Sequence, residues 1–493
     1  MLSGVFPIEK KFTFAALFDI LKNVNLILEF MAKRLGFRLF KHYVRFMLNH
    51  VLYRKKYVVG EEYRPQLGDH CVIPANHQNP AIDPIGTILD MDNRTHAYAM
   101  AMGGVFTWSP IINKFWDWLG MLPAFRMDFE GIEEAISRTK FVVDFAADKI
   151  TEGESVIIYP EANHHEESWM RVWQVGYLEI AFRAAEKMHF KEDVKIVPLA
   201  LHYSSFYGAR GSYVMHYGEP ISLMPYYEQY QQKPRTTMRD LNPTIRERVK
   251  EMMLYTDDLE HHTLYQFIRR SNVGEEHAKA MGKNPDLLPE RLESDQKLWA
   301  ELETGVAVNP KLADELTETM NEIKATEKKM LIHEHGGEKK RQSVIRLVLS
   351  VLAQIALLPL WLFSLIPSAI MYYIPPMFMP GKEDPYYNVY TQSMQLILTV
   401  VLLFPIFSIT TLLVMGLNWG LWWQAIAWIA LWFPLGIFAW HEGLWMRSTW
   451  EQISMRIHRK KAKKLHALYH HFYEMVQKLR QSGVEESEAS MAV

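Results

Sequence analysis

Two long stretches of this 493-residue chain contain no Asp, Glu, Lys or Arg. They cover residues 347–379 and 386–440, which are 33 and 55 residues long. A helix needs only about 20 apolar residues to cross the hydrocarbon core of a bilayer. Because a core helix of a soluble domain has no need of such length, we expect the chain to be embedded in a membrane towards its C-terminal end.

The path of these stretches through the membrane can be predicted in part. The second divides into two segments of crossing length, 394–415 and 420–440, which predict a helical hairpin. The first would be about 50 Å long as one helix, too long for a single crossing. Prolines, which break or kink helices, interrupt it at Pro359, Pro367, Pro375 and Pro376. We expect a re-entrant or two-piece segment here, within a transmembrane region at residues 342–446.

Clusters of Lys and Arg flank this region on both sides, at residues 339–341 and 456–464. Because basic loops tend to stay in the cytoplasm, both flanks are expected there, which requires an even number of crossings. Residues 447–493 are interpreted as a basic cytoplasmic tail. Residues 226–341 are rich in both charges and are interpreted as a region of solvated helices.

The N-terminal arm, residues 1–56, carries a local excess of positive charge. Apolar residues recur there at the spacing of one helix face, at Phe37, Phe40, Val44, Met47 and Val51. An amphipathic basic helix of this kind can lie in the interface of an anionic bilayer. The alternative is a helix packed on the domain, with its basic edge in solvent.

The charges of the whole chain nearly cancel, with 54 basic and 56 acidic residues. The chain therefore has no overall field that attracts nucleic acid, and we expect no such partner. Cys71 is the only cysteine, which excludes an intramolecular disulfide and a zinc site built from several cysteines. No group of His, Asp and Glu has a convincing metal-ligand spacing, so we predict no metal.

A candidate site for chemistry follows the short apolar strand at 70–75. The next residues, NHQNPAIDP, place Asn76, His77 and Asp83 just past a strand end, where α/β domains commonly bind ligands. A turn at Pro80 can bring Asp83 back onto His77. A histidine held by a carboxylate is a suitable general base, and without a nearby Ser or Cys the nucleophile would be a substrate hydroxyl. The alternative is a surface histidine beside an unrelated Asp.

The segment NHQNPAIDP resembles the first block of the glycerolipid acyltransferases, the glycerol-phosphate and lysophosphatidate group. The usual spacing in this family leaves four residues between His and Asp. This chain has five, as do some glycerol-phosphate acyltransferase-like members. Three further segments, 120–126, 155–162 and 195–201, resemble the later blocks in the family's order. The resemblance extends over about 55–225 and implies an α/β acyltransferase domain at 57–225, between the amphipathic helical arm and the α-helical membrane region.

The resemblance also implies roles for individual residues. His77 and Asp83 would be catalytic, and Asn76 would contact the substrate. Arg126 in the second block would bind the acceptor phosphate, and Glu161 in the third would hold the acceptor. The third block has Ala162 in place of the usual Gly and lacks the Arg that often follows, so Arg171 is predicted to supply the missing charge.

The function implied is that of a membrane-bound O-acyltransferase in phospholipid synthesis, with its catalytic domain facing the cytoplasm. It would move an acyl chain from acyl-CoA or acyl-carrier protein, as co-substrate and without a further cofactor, to a hydroxyl of glycerol phosphate or lysophosphatidate. One alternative is an acceptor without phosphate, such as an amino-acid lipid, which Glu166 and Glu167 favour because they would repel a phosphate. Another is a non-catalytic, lipid-binding membrane scaffold.

Overall fold

The fold is given by a computed structural model of the chain. It describes residues 36–91, 97–102, 110–124, 132–162, 164–165, 167–205, 209–377, 393 and 395–491. These residues form an α/β domain, a group of charged helices and a group of long apolar helices. The α/β domain and the C-terminal apolar helices confirm the fold class predicted from the sequence.

The α/β domain is built from short strands joined by helices. Its strands are β1 (Lys55–Val59), β2 (Cys71–Pro74), β3 (Ala97–Met102), β4 (Met121–Ala124), β5 (Ser155–Ile158), β6 (Lys195–Ile196), β7 (Leu199–Tyr203), β8 (Ser212–Tyr217) and β9 (Ile221–Ser222). Its helices are α1 (36–46, continued by the π-helical Met47–Leu52), α2 (Ile82–Asp90), α3 (Pro110–Leu119), α4 (Ile132–Thr151) and α5 (Gly176–Lys187), with a 3-10 turn at Glu61–Tyr63.

The strands form two sheets that meet at one point. The larger has the order β4-β3-β5-β2-β6-β9 and is parallel apart from β9. Every residue of β2 and β5 is buried, as expected for parallel strands covered on both faces. The smaller sheet has the order β1-β8-β7, and a bridge between Ala75 and Leu199 links it to the larger one. The carboxyl ends of β2 and β5 therefore lie side by side, next to the start of β7.

The charged region forms helices, of which the first two pack on the α/β domain and the others pack around an apolar core of their own. They are α6 (Tyr227–Gln232), α7 (Pro234–Met252), α8 (His262–Arg270), α9 (Asn272–Ala280), α10 (Leu288–Val308) and α11 (Pro310–Lys329), with 3-10 turns at Met224–Tyr226 and Gly336–Glu338. The basic residues predicted as a tail belong to a long helix, α16 (Arg459–Met491), that packs on α10 and α11. Leu465, Phe472 and Leu479 are fully buried in this core, because they recur at the spacing of one helix face.

Among the residues that the structure describes, the membrane region contains three helices that are long and apolar enough to cross a bilayer, Val344–Tyr373, Gln395–Asn418 and Trp422–Ile457. The first is α12 (Val344–Ser368), continued by the π-helical Ala369–Tyr373 and by α13 (Ile374–Met377). The second joins π-helical Gln395–Leu403, α14 (Phe404–Thr411) and π-helical Leu412–Asn418, and the third is α15 (Trp422–Ile457).

The first of these helices corrects one expectation from the sequence. We predicted that prolines would break it, but α12 continues through Pro359 and Pro367. Apolar helices tolerate proline where neighbouring groups satisfy the freed backbone atoms. The two ends of the membrane region also meet, since Lys339 Nζ lies 2.6 Å from Glu451 Oε2. The number of complete crossings and the cytoplasmic orientation stay predictions.

The part of the N-terminal arm that the structure describes packs inside the protein. Val44, Met47 and Val51 of α1 and its continuation are buried. The Tyr43 hydroxyl donates to the carbonyl of Val400 in the second apolar helix, at 2.7 Å. Residues 36–52 therefore pack on the domain, which was the alternative interpretation of this arm. Residues 53–56 of the arm lead into β1, and residues 1–35 lie outside the described residues.

Candidate active site

The candidate catalytic pair lies where β2 ends and α2 begins. The Nδ1 atom of His77 is 2.9 Å from Oδ2 of Asp83, which is in the first turn of α2. The same oxygen accepts the backbone N–H groups of Gln78 and Asn79, each at 2.8 Å. The other oxygen, Oδ1, accepts the hydroxyl of Tyr203 from the end of β7. The five-residue spacing thus lets the loop wrap around a single carboxylate.

This arrangement determines which nitrogen of His77 can act on a substrate. An ionised carboxylate only accepts hydrogen bonds, so Nδ1 carries the proton that faces Asp83. Among the described residues, Nε2 has no hydrogen-bond partner, and the side chain of His77 is 14% exposed. Asp83 is fully buried. The pair therefore has the form of a general base, with the acid fixing the tautomer and Nε2 open towards solvent.

Two aromatic rings confine the imidazole. The ring of Tyr159, just past β5, stacks on His77 with centroids 4.3 Å apart, and the ring of His164 meets it edge-on at 5.5 Å. Burial holds the pKa of the Tyr159 hydroxyl well above its ordinary value, so this residue stays neutral. Its contribution is to restrict the orientation of the ring rather than to exchange protons.

Glu161, predicted to hold the acceptor, has a buried carboxylate that is already hydrogen-bonded. It accepts the backbone N–H of His77 at 3.1 Å and that of Arg171 at 2.8 Å. It also lies 3.0 Å from Nε2 of His165. The carboxylate thus fastens the loop after β5 to the loop that carries His77.

His165 was not among the residues predicted for the site. Its Nε2 faces Glu161, its Nδ1 lies 3.4 Å from Glu167, and its ring stacks on Trp169. Burial lowers the pKa of His165, but the carboxylates of Glu161 and Glu167 outweigh this and raise it to about 9. His165 is therefore an imidazolium at neutral pH. The sequence places His165 four residues after Glu161. This spacing indicates a contact between them only when the conformation of the loop is known.

The backbone explains one departure from the family pattern. Ala162 has a φ of 56°, in the left-handed region that favours glycine. This is the position where the family's third block usually has Gly. Ala162 keeps the conformation that lets the loop turn back after Glu161, at a cost of about 1 kcal/mol.

The remaining predicted site residues lie in different surroundings. The side-chain amide of Asn76 donates to the carbonyl of Leu201 at 3.0 Å and accepts its N–H at 2.7 Å, so it joins the two sheets. Arg171 is exposed, and its guanidinium lies over the ring of Trp169. Arg126 lies outside the described residues. Substrate contacts by these residues stay predictions.

A residue of the membrane region supports the loop between His77 and Asp83. The hydroxyl of Ser393, close to the start of the second apolar helix, accepts the backbone N–H of Ala81 at 3.1 Å. It also donates to the side-chain carbonyl of Asn79. Ser393 is fully buried. More than 300 residues separate it from the loop, so no local sequence pattern could have indicated this contact.

The described residues contain no group of three or more His, Cys, Asp or Glu side chains that could hold a metal ion. In sequence, no curated protein matches the chain. One similar solved structure is that of the 1-acyl-sn-glycerophosphate acyltransferase PlsC from Thermotoga maritima, at 14% identity and a TM-score of 0.31. The similarity covers 45% of this chain and 83% of that one.

The family model described as Acyltransferase matches residues 55–202. This range begins with β1 and ends in β7, and it contains the hydrogen-bonded pair of His77 and Asp83. Glu161 and His165 lie within it as well. The resemblance expected from the four sequence blocks is thereby confirmed: residues 55–202 of this chain are an acyltransferase-family domain.

Proposed function

We propose that the chain is a membrane-bound glycerolipid O-acyltransferase of phospholipid synthesis. It transfers an acyl chain from a thioester donor, acyl-CoA or acyl-carrier protein, to a hydroxyl of glycerol phosphate or lysophosphatidate. The observation that carries the proposal is the His77–Asp83 pair, whose open Nε2 lies in an acyltransferase-family domain. The apolar helices beside this domain support a lipid acceptor or product.

The chemistry follows from the hydrogen bonds of the pair. Nε2 of His77 takes the proton of the acceptor hydroxyl while the hydroxyl oxygen forms a bond to the thioester carbon. The C–S bond then breaks, and the departing sulfur takes this proton from Nε2. Between these steps the ring is an imidazolium, which Asp83 stabilises from Nδ1. General base catalysis of this kind contributes about 10²- to 10⁴-fold to a rate.

The other residues have supporting roles in this proposal. Glu161 and Asn76 act as positioning residues, because their polar atoms already bond to backbone groups of the site. Arg126 and Arg171 bind the acceptor phosphate. His165 adds a buried cation beside the same loop, in the block where the family often has Arg.

The imidazolium of His165 also affects the choice between an acceptor with phosphate and one without. That alternative relied on repulsion of a phosphate by Glu166 and Glu167. Glu167 faces the His165 imidazolium, which lowers its pKa and offsets its charge. Glu166 lies outside the described residues. The pairing of Glu167 favours a phosphate-bearing acceptor.

The test is acyl transfer by membranes that contain the full chain. Wild type is compared with His77→Ala and Asp83→Ala, on glycerol 3-phosphate, lysophosphatidate and a phosphate-free lysolipid, with both donors. We expect each variant to lose at least about 100-fold in rate. His471→Ala is the matched control, since His471 is exposed on α16, and it should retain the wild-type rate. Wild-type rates in both site variants would contradict the mechanism, and transfer to none of the acceptors by wild type would favour the scaffold alternative.

A further inference from the structure

A cavity of about 320 Å³ lies between the α/β domain and the charged helices. Five arginines line it, Arg54, Arg210, Arg269, Arg270 and Arg291. Only two carboxylates, Asp286 and Asp295, lie among the lining residues, which leaves an excess of three positive charges. We call this cavity the arginine pocket. Four of its arginines lie beyond residue 202, outside the range that the acyltransferase family model matches, and three of these four are in α8 and α10.

Part of the arginine pocket is rigidly built. Asp295 is paired with Arg269 at 3.1 Å and with Arg291 at 2.8 Å. The guanidinium of Arg291 also donates to the carbonyl of Arg269. Arg269 is only 7% exposed, and its Nε–H has no hydrogen-bond partner among the residues that the structure describes. Because a buried guanidinium donor without a partner is costly, this wall is arranged for an acceptor that would complete its hydrogen bonds.

Two further arginines at the pocket are exposed and unpaired. Within the ranges that the structure describes, Arg54 and Arg270 have neither a carboxylate within ion-pair distance nor a side-chain hydrogen bond. Like charges gathered around one cavity repel each other, and an anion between them relieves the repulsion. The positive charge of the pocket also acts on His202 in β7. Burial and, to a smaller extent, the charge of Arg269 lower the pKa of His202 to about 3.

The position of the pocket connects the catalytic sheet edge with the membrane. Ser204, which lines it, directly follows Tyr203, the residue whose hydroxyl binds Asp83. On the other side, Arg210 donates to the carbonyl groups of His50 and Val51. The hydroxyl of Tyr372, in the first apolar helix, donates to the same Val51 carbonyl.

We propose that the arginine pocket is a binding site for a phosphate ester, separate from the His77–Asp83 pair. Guanidinium groups offer pairs of parallel N–H donors that match phosphate oxygens, and five of them can surround one such group. The volume lies at the lower end of the range of ligand sites and suits a phosphate or pyrophosphate with a small substituent. This chemistry has two sources, the headgroup of an anionic lipid and a soluble phosphate ester.

The test uses the full chain and measures binding alone. In one arm, inorganic pyrophosphate is titrated calorimetrically into the chain in phosphatidylcholine nanodiscs. In the other, bound phosphatidic acid is counted by native mass spectrometry after exchange from mixed micelles. The pocket variant is Arg54→Gln with Arg270→Gln, which removes two exposed charges without touching the buried wall. The matched control is Arg239→Gln with Arg248→Gln, two exposed arginines of α7 that lie outside the pocket.

We expect saturable binding that the pocket variant weakens by about tenfold or more and the control by less than about twofold. Binding of pyrophosphate identifies a soluble phosphate ester as the source, and binding of phosphatidic acid alone identifies the lipid headgroup. Absence of binding in both arms, or an equal loss in the two double variants, overturns the proposal. Neither arm measures acyl transfer, so a failure of the arginine-pocket proposal would not count against the proposed function.

Discussion

Two histidine–carboxylate pairs lie within one site, and they differ in what surrounds them. His77 and Asp83 are 2.9 Å apart, and His165 and Glu161 are 3.0 Å apart. Asp83 receives its other hydrogen bonds from neutral groups, two backbone N–H groups and the hydroxyl of Tyr203. His165, in contrast, has a carboxylate beside each ring nitrogen.

The contrast separates a proposed general base, His77, from a histidine that is held as a cation, His165. A histidine with one carboxylate keeps its second nitrogen open, and we propose that Nε2 of His77 acts on the substrate in this way. A histidine between two carboxylates is held in its charged form, which the raised pKa of His165, about 9, expresses. Histidine and carboxylate at hydrogen-bond distance therefore do not by themselves identify a base. The environment of the second nitrogen decides the role.

The largest effect should come from Asp83→Asn, which removes the acid from the first pair. An amide in this place can present its N–H₂ to His77 and favour the wrong tautomer. We expect the rate of acyl transfer to fall about 10³-fold at neutral pH. Initial rates in membranes, normalised to the amount of folded protein, measure this. Tyr203→Phe retains the carboxylate and should cost far less, so equal losses in the two variants would show that packing rather than tautomer control matters.

The second pair can be broken with His165→Gln. The folded-state pKa of His165, about 9, lies above the ordinary value of 6.5, so its charge contributes roughly 3 kcal/mol to stability. Because the pKa is raised on folding, this contribution is complete below about pH 6.5 and is lost as the pH rises through about 9. Thermal unfolding of the full chain in detergent should show a Tm that falls over this range in wild type. A variant whose Tm falls just as steeply would mean that His165 is not the group responsible.

The support of the first pair by the membrane region can be tested with Ser393→Ala. The change leaves the Ala81 N–H without its partner, at about 1–3 kcal/mol, and leaves the side-chain carbonyl of Asn79 with only the 3.4 Å hydrogen bond from the N–H of Ile82. We expect the transfer rate to fall about tenfold, because the loop around Asp83 loosens. Ser408→Ala is the matched control, since the hydroxyl of Ser408 has no hydrogen-bond partner in the described part of the chain. If both alanine variants lose activity equally, general disturbance of the helix is the cause.

The smallest effect concerns the turn between the members of the second pair. Ala162→Gly relieves the left-handed backbone conformation and should stabilise the protein by up to about 1 kcal/mol. Ala300→Gly, on an exposed face of α10, should destabilise it by about as much, because glycine is a poor helix former. Chemical denaturation of the full chain compares them. A loss of stability in both would show that Ala162 is not strained.

The sequence could predict the contacts of the site that lie within one loop, but it could not predict those between distant parts of the chain. His77 and Asp83 lie on one loop, so their spacing could predict a pair. Tyr203 and Ser393 reach the same loop from 120 and 314 residues away, through pairing of β7 and packing of an apolar helix. His165 is near in sequence to Glu161, but its burial depends on the left-handed turn at Ala162.

In the membrane region, too, the sequence predicted local features and could not predict those that depend on distant contacts. Length and lack of charge predicted apolar helices, because these properties are sufficient to cross a bilayer. They could not predict that α12 continues through Pro359 and Pro367, since this depends on neighbouring helices. Nor could the periodicity of α1 distinguish a bilayer from a protein surface, as both accept an apolar face.

The core that buries β2 has a further consequence. It contains Cys71 and Ile73 together with Tyr372, Val400 and Trp432 of the three apolar helices. The α/β domain and the membrane helices thus share one apolar core, and cutting the chain before residue 342 would leave part of this core uncovered. We expect such a truncated protein to aggregate. For the full chain in nanodiscs, we expect the rate of turnover to vary with the acyl length of the lipids. Helices that tilt with bilayer thickness would move the loop between His77 and Asp83 with them.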